Sequence, residues 1–153
     1  MPTLELKIPP PVVALIMGGA MWGISRYTPG IDMPLPARVA LALVLPLLGG
    51  GISYAGASAF RRARTTVNPL KPEQASTLVT GGIYRLTRNP MYVGGALVLL
   101  GWMVFLAAPW ALVGPIAFVA YITRFQIMPE ERVLAARFGE AYGDYRAKVR
   151  RWL

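Results

Sequence analysis

Thirty-five consecutive residues, Asn89 to Thr123, carry no charge, and that single run decides more about the fold than any other part of the chain. At about 1.5 Å per residue it is far longer than one helix of ordinary tilt needs to cross a hydrocarbon core of about 30 Å, yet tight for two full crossings and a turn. Ala107-Ala108-Pro109 lies near its middle, and proline suits a first helical turn, where its missing N–H costs nothing. The run therefore predicts a compact helical hairpin with arms at about 90–108 and 109–125, the second bent by Pro115. A hairpin returns the chain to the side it left, so the segments on either side of it share a compartment.

Residues 8–25 and 39–60 are also uncharged. With 55% hydrophobic and only 15% charged residues, the chain could not cover a water-facing surface. An integral membrane protein follows. Pro9-Pro10-Pro11 delays the first helix, predicting a short span at about 11–25, with Trp22 and Tyr27 at its far interface. A second span at about 38–60 contains Pro46, Gly49-Gly50-Gly51 and Gly56. Such a helix is expected to kink and to pack closely on its small face; alternatively its glycines leave room for a ligand or a lipid tail.

The turn-rich connector at 26–38 holds two of the sixteen Lys and Arg residues, whereas 61–88 and 124–153 together hold thirteen. By the positive-inside rule the loop at 61–89 and the C-terminal segment are cytoplasmic, and four spans put the N-terminus there too, in a bacterial inner membrane. That loop is polar and irregular, with Asn68-Pro69 and Lys71-Pro72. Pro129-Glu130-Glu131 opens a last, amphipathic helix at about 129–152, with a stripe from Leu134 through Tyr142 and Tyr145 to Trp152 and a possible break at Gly139 or Gly143. The expected fold is thus all-α: one domain over 1–153, with about four transmembrane helices, the last two a tight hairpin, and a cytoplasmic amphipathic helix.

Basic residues that flank apolar runs point to membrane lipids as partners rather than nucleic acid, despite the net charge of +9. No cysteine or histidine is present. This removes disulfides, thiolate nucleophiles, imidazole bases and the usual zinc ligands, so no metal is expected and chemistry falls to carboxylates, Arg, Tyr, Ser, Thr or a bound cofactor.

Between the second span and the hairpin runs Val79-Thr80-Gly81-Gly82-Ile83-Tyr84-Arg85-Leu86-Thr87-Arg88-Asn89-Pro90-Met91-Tyr92-Val93-Gly94. Gly81 and Gly82 permit a tight turn and close approach to the main chain. Arg85, Arg88 and the free N–H groups of the helix beginning at Pro90 converge there as a candidate site for a carboxylate-bearing ligand. The plainer alternative is a juxtamembrane loop whose arginines attract lipid phosphates. Glu130-Glu131 is a second candidate, because carboxylates beside a span are costly without partners, although helix capping also explains acids in a first turn. Neighbours on a helix lie about 100° apart, so only one of the two is expected to face inward.

The order of these pieces, Leu78 to Arg85, Arg88 to Gly94, Glu130-Glu131 and then Phe138-Gly139-Glu140-Ala141-Tyr142-Gly143-Asp144-Tyr145, resembles the isoprenylcysteine carboxyl methyltransferase and phospholipid methyltransferase superfamily. The resemblance covers about 60–153. It implies an S-adenosylmethionine-dependent methyltransferase whose cofactor sits at the cytoplasmic interface and whose small lipophilic acceptor enters from the bilayer. Gly81, Gly82, Tyr84, Arg85, Arg88, Asn89, Pro90, Tyr92, Gly94, Glu130 and Glu131 would then bind the cofactor, with Arg88, Tyr92 and Glu131 at the reaction centre. Asn89 stands where many members carry His. The acceptor is expected to enter between the second span and the hairpin. Two other readings compete: a sterol or steroid reductase using a nicotinamide nucleotide, and a non-enzymatic membrane protein.

Overall fold

The computed structural model describes residues 4–66, 68 and 70–153. Met1 to Thr3 of the polar lead and Pro69 of the polar loop lie outside the described residues. Regular structure among those described is helical throughout. Helix α1 is Pro10–Tyr27, α2 is Leu35–Arg62, α3 is Pro90–Leu106, α4 is Val113–Ile122 and α5 is Met128–Lys148.

Prolines start these helices: Pro10, Pro36 and Pro90 sit in first turns that follow non-helical residues, where the missing N–H is harmless, and Pro129 sits in the first turn of α5. Helix α2 ends on Arg61 and Arg62, which complement the negative end of its dipole. Helix α3 ends at Ala107, whose φ of 49° is left-handed and turns the chain sharply into Pro109–Leu112. The Ala107 carbonyl accepts from the Ile31 N–H at 2.9 Å, so the connector between α1 and α2 packs on this turn.

Two helical stretches are long and apolar enough to cross a membrane, Leu35–Arg62 and the continuous path Pro109–Lys148; Pro90–Leu106 is as apolar but shorter. Only 11% of the most apolar window of α2 is buried within the protein, and Leu41, Leu43, Val44, Leu47 and Leu48 all face outward. Such a surface needs an apolar solvent.

Pro129 lies in the first turn of α5 as expected, but no loop separates that helix from α4. A π-turn at Thr123–Ile127 joins α4 to α5 instead. Proline cannot donate to the carbonyl four residues back, here that of Phe125, and widening the helix absorbs the defect. The Phe125 carbonyl accepts from the Leu6 N–H at 3.0 Å instead. Glu5 pairs with Arg124 at 2.9 Å and with Arg132, fixing this N-terminal segment across the π-turn. Within α5 the helical path breaks at Gly139 (φ 52°, ψ −124°), while Gly143 stays helical.

Helix α3 is the centre of the bundle. A seam of small residues joins it to α2: a Cβ on Gly49 would lie 2.6 Å from the Gly94 carbonyl oxygen, and one on Gly56 would lie 2.9 Å from Pro90. Helix α1 leans on the other flank, where the Trp102 indole donates to the Gly18 carbonyl at 3.0 Å and Met21 fills the space beside Gly114. Between α1 and α2, floored by α3, an apolar groove of about 1320 Å³ remains. It does not lie between the second span and the hairpin, where the acceptor was expected. The glycine seam closes α2 onto α3, so the gap falls between α1 and α2.

Candidate functional site

At the end of α3 that carries Pro90, four segments enclose a small cavity of about 100 Å³. One wall is the turn Gly82–Arg85, which starts from Gly82 at φ 62° and points Tyr84 inward. Tyr145 of α5 donates to the Tyr84 carbonyl at 2.8 Å, and Phe60 meets the Tyr84 ring edge-on at 5.3 Å. The loop through Ala75, Leu78 and Val79 closes another side. Arg88, Asn89 and Tyr92 supply the third, and the first turns of α5 the fourth.

Arg88 is almost fully buried, its side chain 9% exposed. Its Nη1 lies 3.0 Å from Glu131 Oε1 and donates to the Tyr142 hydroxyl at 3.2 Å. Its Nε is buried without a hydrogen-bond partner. An orphaned guanidinium N–H is costly in such a place, and it marks where an anionic group would bind.

Both glutamates reach the cavity, although only one was expected to. Both line it while facing different partners, Glu130 towards Tyr92 and Gln126, and Glu131 towards Arg88 and Arg151. Glu130 Oε1 accepts from the Tyr92 hydroxyl at 2.5 Å and from Gln126 Nε2 at 2.6 Å. The residue retains some exposed surface, but burial of its carboxyl raises the pKa to about 7 against the lowering effect of those two donors, with the Glu131 charge adding to the rise. Glu131 is instead surrounded by cations, since Arg151 forks onto it at 2.9 and 2.7 Å. Tyr142 is also raised, first by burial and then by the Glu131 charge.

The structure thus brings together Tyr84, Arg88, Asn89, Pro90, Tyr92, Glu130 and Glu131. Four expected residues lie outside the cavity, three of them, Gly81, Gly82 and Arg85, exposed. Gly81 and Gly82 shape the turn that aims Tyr84, whereas Arg85 on the same turn is exposed. Gly94 belongs to the α2–α3 seam and the apolar groove. Asn89 is a structural residue here, its Nδ2 donating to the Arg151 carbonyl at 2.9 Å.

Gln126 and Arg151 were not foreseen, and Tyr142 was seen as part of an aromatic stripe and of the family's motif at 138–145 but was not placed at the site. Gln126 stands four residues before Glu130, a spacing that places both on one helix face and could have flagged it. Arg151 gave no local signal, because its partner is twenty residues away. The cavity and the groove share two residues, Met91 and Tyr92. Charge lies on one side of that wall and hydrocarbon on the other.

Residues 37–141 match the family model described as phospholipid methyltransferase. A 63-residue stretch is 44% identical to an uncharacterised protein of Haemophilus influenzae, covering 41% of this chain and all of that one. A probable protein-S-isoprenylcysteine O-methyltransferase of Oryza sativa subsp. indica is 33% identical over 112 residues, 71% of this chain and 57% of the relative. The protein-S-isoprenylcysteine O-methyltransferase of Xenopus laevis is 41% identical over 76 residues, 48% of this chain and 25% of its own length. The chain therefore spans between a quarter and about three fifths of the named methyltransferases it matches. No solved structure matches it. With a family model matched across more than half of its residues, the chain belongs to the phospholipid methyltransferase family.

Proposed function

We propose that this chain catalyses S-adenosylmethionine-dependent methyl transfer to a small lipophilic acceptor reached from the bilayer. One observation carries the reading: a charged cavity and a large apolar groove meet at Met91 and Tyr92. A reaction between a zwitterionic donor and a lipid needs that kind of junction, because each substrate requires a surface the other avoids. The curated relatives named as protein-S-isoprenylcysteine O-methyltransferases are consistent with a donor and a lipophilic acceptor of this kind.

The residues fit the cofactor's charged end. The Arg88 guanidinium, with its orphaned Nε, would receive the carboxylate, and Glu130 the ammonium. At about 100 Å³ the enclosed space is well below the roughly 300–1,000 Å³ of a pocket that surrounds a whole ligand. It suits the amino-acid end alone. The cofactor supplies a methyl group already activated on a sulfonium, so the chain's own work is positioning and exclusion of water. Tyr92, held by Glu130 and exposed to both spaces, is the residue placed to orient the acceptor's reacting atom.

The same reading takes residues 1–153 as one domain that crosses the membrane four times, with the cavity, the loop after α2 and both ends of the chain on the cytoplasmic side of an inner membrane. The basic clusters around the cavity end support that orientation. Thermal stabilisation in detergent tests the cofactor assignment. S-adenosylhomocysteine at 100 times its Kd is expected to stabilise the fold by about 2.7 kcal/mol, and NADPH not at all. Stabilisation by NADPH, or by neither compound, overturns the assignment.

A further inference from the structure

Glu131 sits between two guanidiniums. Its Oε1 is 3.0 Å from Arg88 Nη1 and 2.9 Å from Arg151 Nε, and its Oε2 is 2.7 Å from Arg151 Nη2. Two positive groups and one negative leave this triad with a net charge of +1. The two arginines are not equivalent. Arg88 is the buried one, 9% exposed with Nε unpartnered, whereas the Arg151 side chain is 36% exposed and holds the carboxylate in a bidentate fork.

We propose that Arg151 is a positioning residue for the cofactor. By forking onto Glu131 it stops that carboxylate from turning fully onto Arg88, and it leaves Arg88 with the uncompensated charge that receives the cofactor's own carboxylate. Without Arg151 the pair Arg88–Glu131 is neutral, and Glu131 competes with the ligand for the guanidinium. Glu131 in this arrangement tunes Arg88 and does not contact the cofactor's ammonium, a role left to Glu130. The inference rests on the cofactor assignment made above.

The backbone that presents Arg151 is anchored independently of its side chain. The Arg150 carbonyl accepts from the Arg88 N–H at 3.0 Å. The Arg151 carbonyl accepts from Thr87 Oγ1 at 3.3 Å and Asn89 Nδ2 at 2.9 Å, and the Trp152 indole donates to Thr123 Oγ1 at 3.1 Å. Changing the side chain therefore tests charge and fork geometry while the segment stays in place.

Titration calorimetry of S-adenosylhomocysteine binding to detergent-purified protein decides it, with a melting curve for each variant. Arg151→Gln is expected to bind at least about tenfold more weakly than wild type. Adding Glu131→Gln to it restores a net charge of +1 on Arg88 alone and is expected to recover at least about threefold of that loss, whereas removal of a merely structural contact predicts a double variant no tighter than the single one. Arg151→Lys keeps the charge but cannot fork, and is expected to lose about threefold. Wild-type affinity in Arg151→Gln or Arg151→Lys, or a double variant no tighter than Arg151→Gln, overturns the inference. Failure of the wild-type protein to bind the compound overturns the cofactor assignment itself, and the inference with it.

Discussion

The two spaces on either side of Tyr92 are built by opposite means. The cavity is defined by side chains that are present: Arg88, Glu130 and Glu131 each have named partners within 3.2 Å or, at Arg88 Nε, a conspicuous lack of one. The groove is defined largely by side chains that are missing, with Gly18, Gly19, Gly50 and Gly94 along its walls. Electrostatic recognition in a buried place depends on individual atoms, and losing one leaves a charge unpaired. A hydrocarbon groove depends on summed shape, and small changes are spread over many contacts. Substitutions should therefore act sharply in the cavity and gradually in the groove, except where a glycine also holds helices together.

The largest expected effect is in the cavity. Arg88→Ala removes the buried cation that the proposal assigns to the cofactor's carboxylate, with an expected loss of about 2–5 kcal/mol, or roughly 30-fold or more in S-adenosylhomocysteine affinity by calorimetry. An affinity within threefold of wild type would erase the contrast between the two spaces.

Next come two adjacent glycines that should behave differently. Gly49→Ala pushes a Cβ to within 2.6 Å of the Gly94 carbonyl oxygen, and overpacking of this kind costs about 1–3 kcal/mol in thermal unfolding. The Cβ of Gly50→Ala meets nothing within 4 Å, so replacing a helical glycine there is expected to be neutral or to stabilise by up to about 1 kcal/mol. Equal effects at the two positions would mean that the seam and the groove are not distinct.

The pH dependence sharpens the assignment of the two glutamates. The pKa of Glu130 is about 7 in the folded protein, against an ordinary 4.5, so the folded state keeps a proton that the unfolded chain gives up. The stability associated with that proton is present below pH 4.5 and is lost as pH rises through about 7. A ligand ammonium needs the ionised form, so S-adenosylhomocysteine affinity should strengthen by up to about tenfold per pH unit as pH rises towards 7 and then level. Glu130→Gln should flatten that profile, and an unchanged profile in this variant would move the ammonium elsewhere. The smallest expected effect is at Glu140, exposed on α5. Glu140→Gln should change binding and stability by no more than about 0.5 kcal/mol.

The sequence disclosed these regions unequally. The uncharged run from Asn89 to Thr123 announced a hairpin because charge is so costly in hydrocarbon, and its turn falls at Ala107. Prolines marked helix starts, Pro129 among them in the first turn of α5, but they did not announce the π-turn that joins this helix to α4, where the Leu6 N–H meets the Phe125 carbonyl that proline cannot. Arg88 and Glu131 were each singled out as charges that need a partner, but not as partners of one another. Arg151 was not singled out, because its approach depends on a reversal of the chain after Lys148 that no local pattern encodes. Arg85, also expected at the site, is exposed outside the cavity, since proximity to a glycine turn does not fix which side of the turn a side chain takes.

Transfer of label tests the junction at Met91 and Tyr92 most directly. Purified protein in native membrane lipids is incubated with S-adenosylmethionine labelled on its methyl group, and the products are partitioned between water and organic solvent. With wild type the label is expected in the organic phase. Arg88→Ala should abolish that signal, and Gly50→Leu should reduce it while S-adenosylhomocysteine binding stays within about threefold of wild type, because the bulk enters the groove and leaves the cavity intact. Label appearing only in water-soluble product, or a full organic-phase signal from Arg88→Ala, would contradict the account of a charged donor cavity joined to a lipid groove.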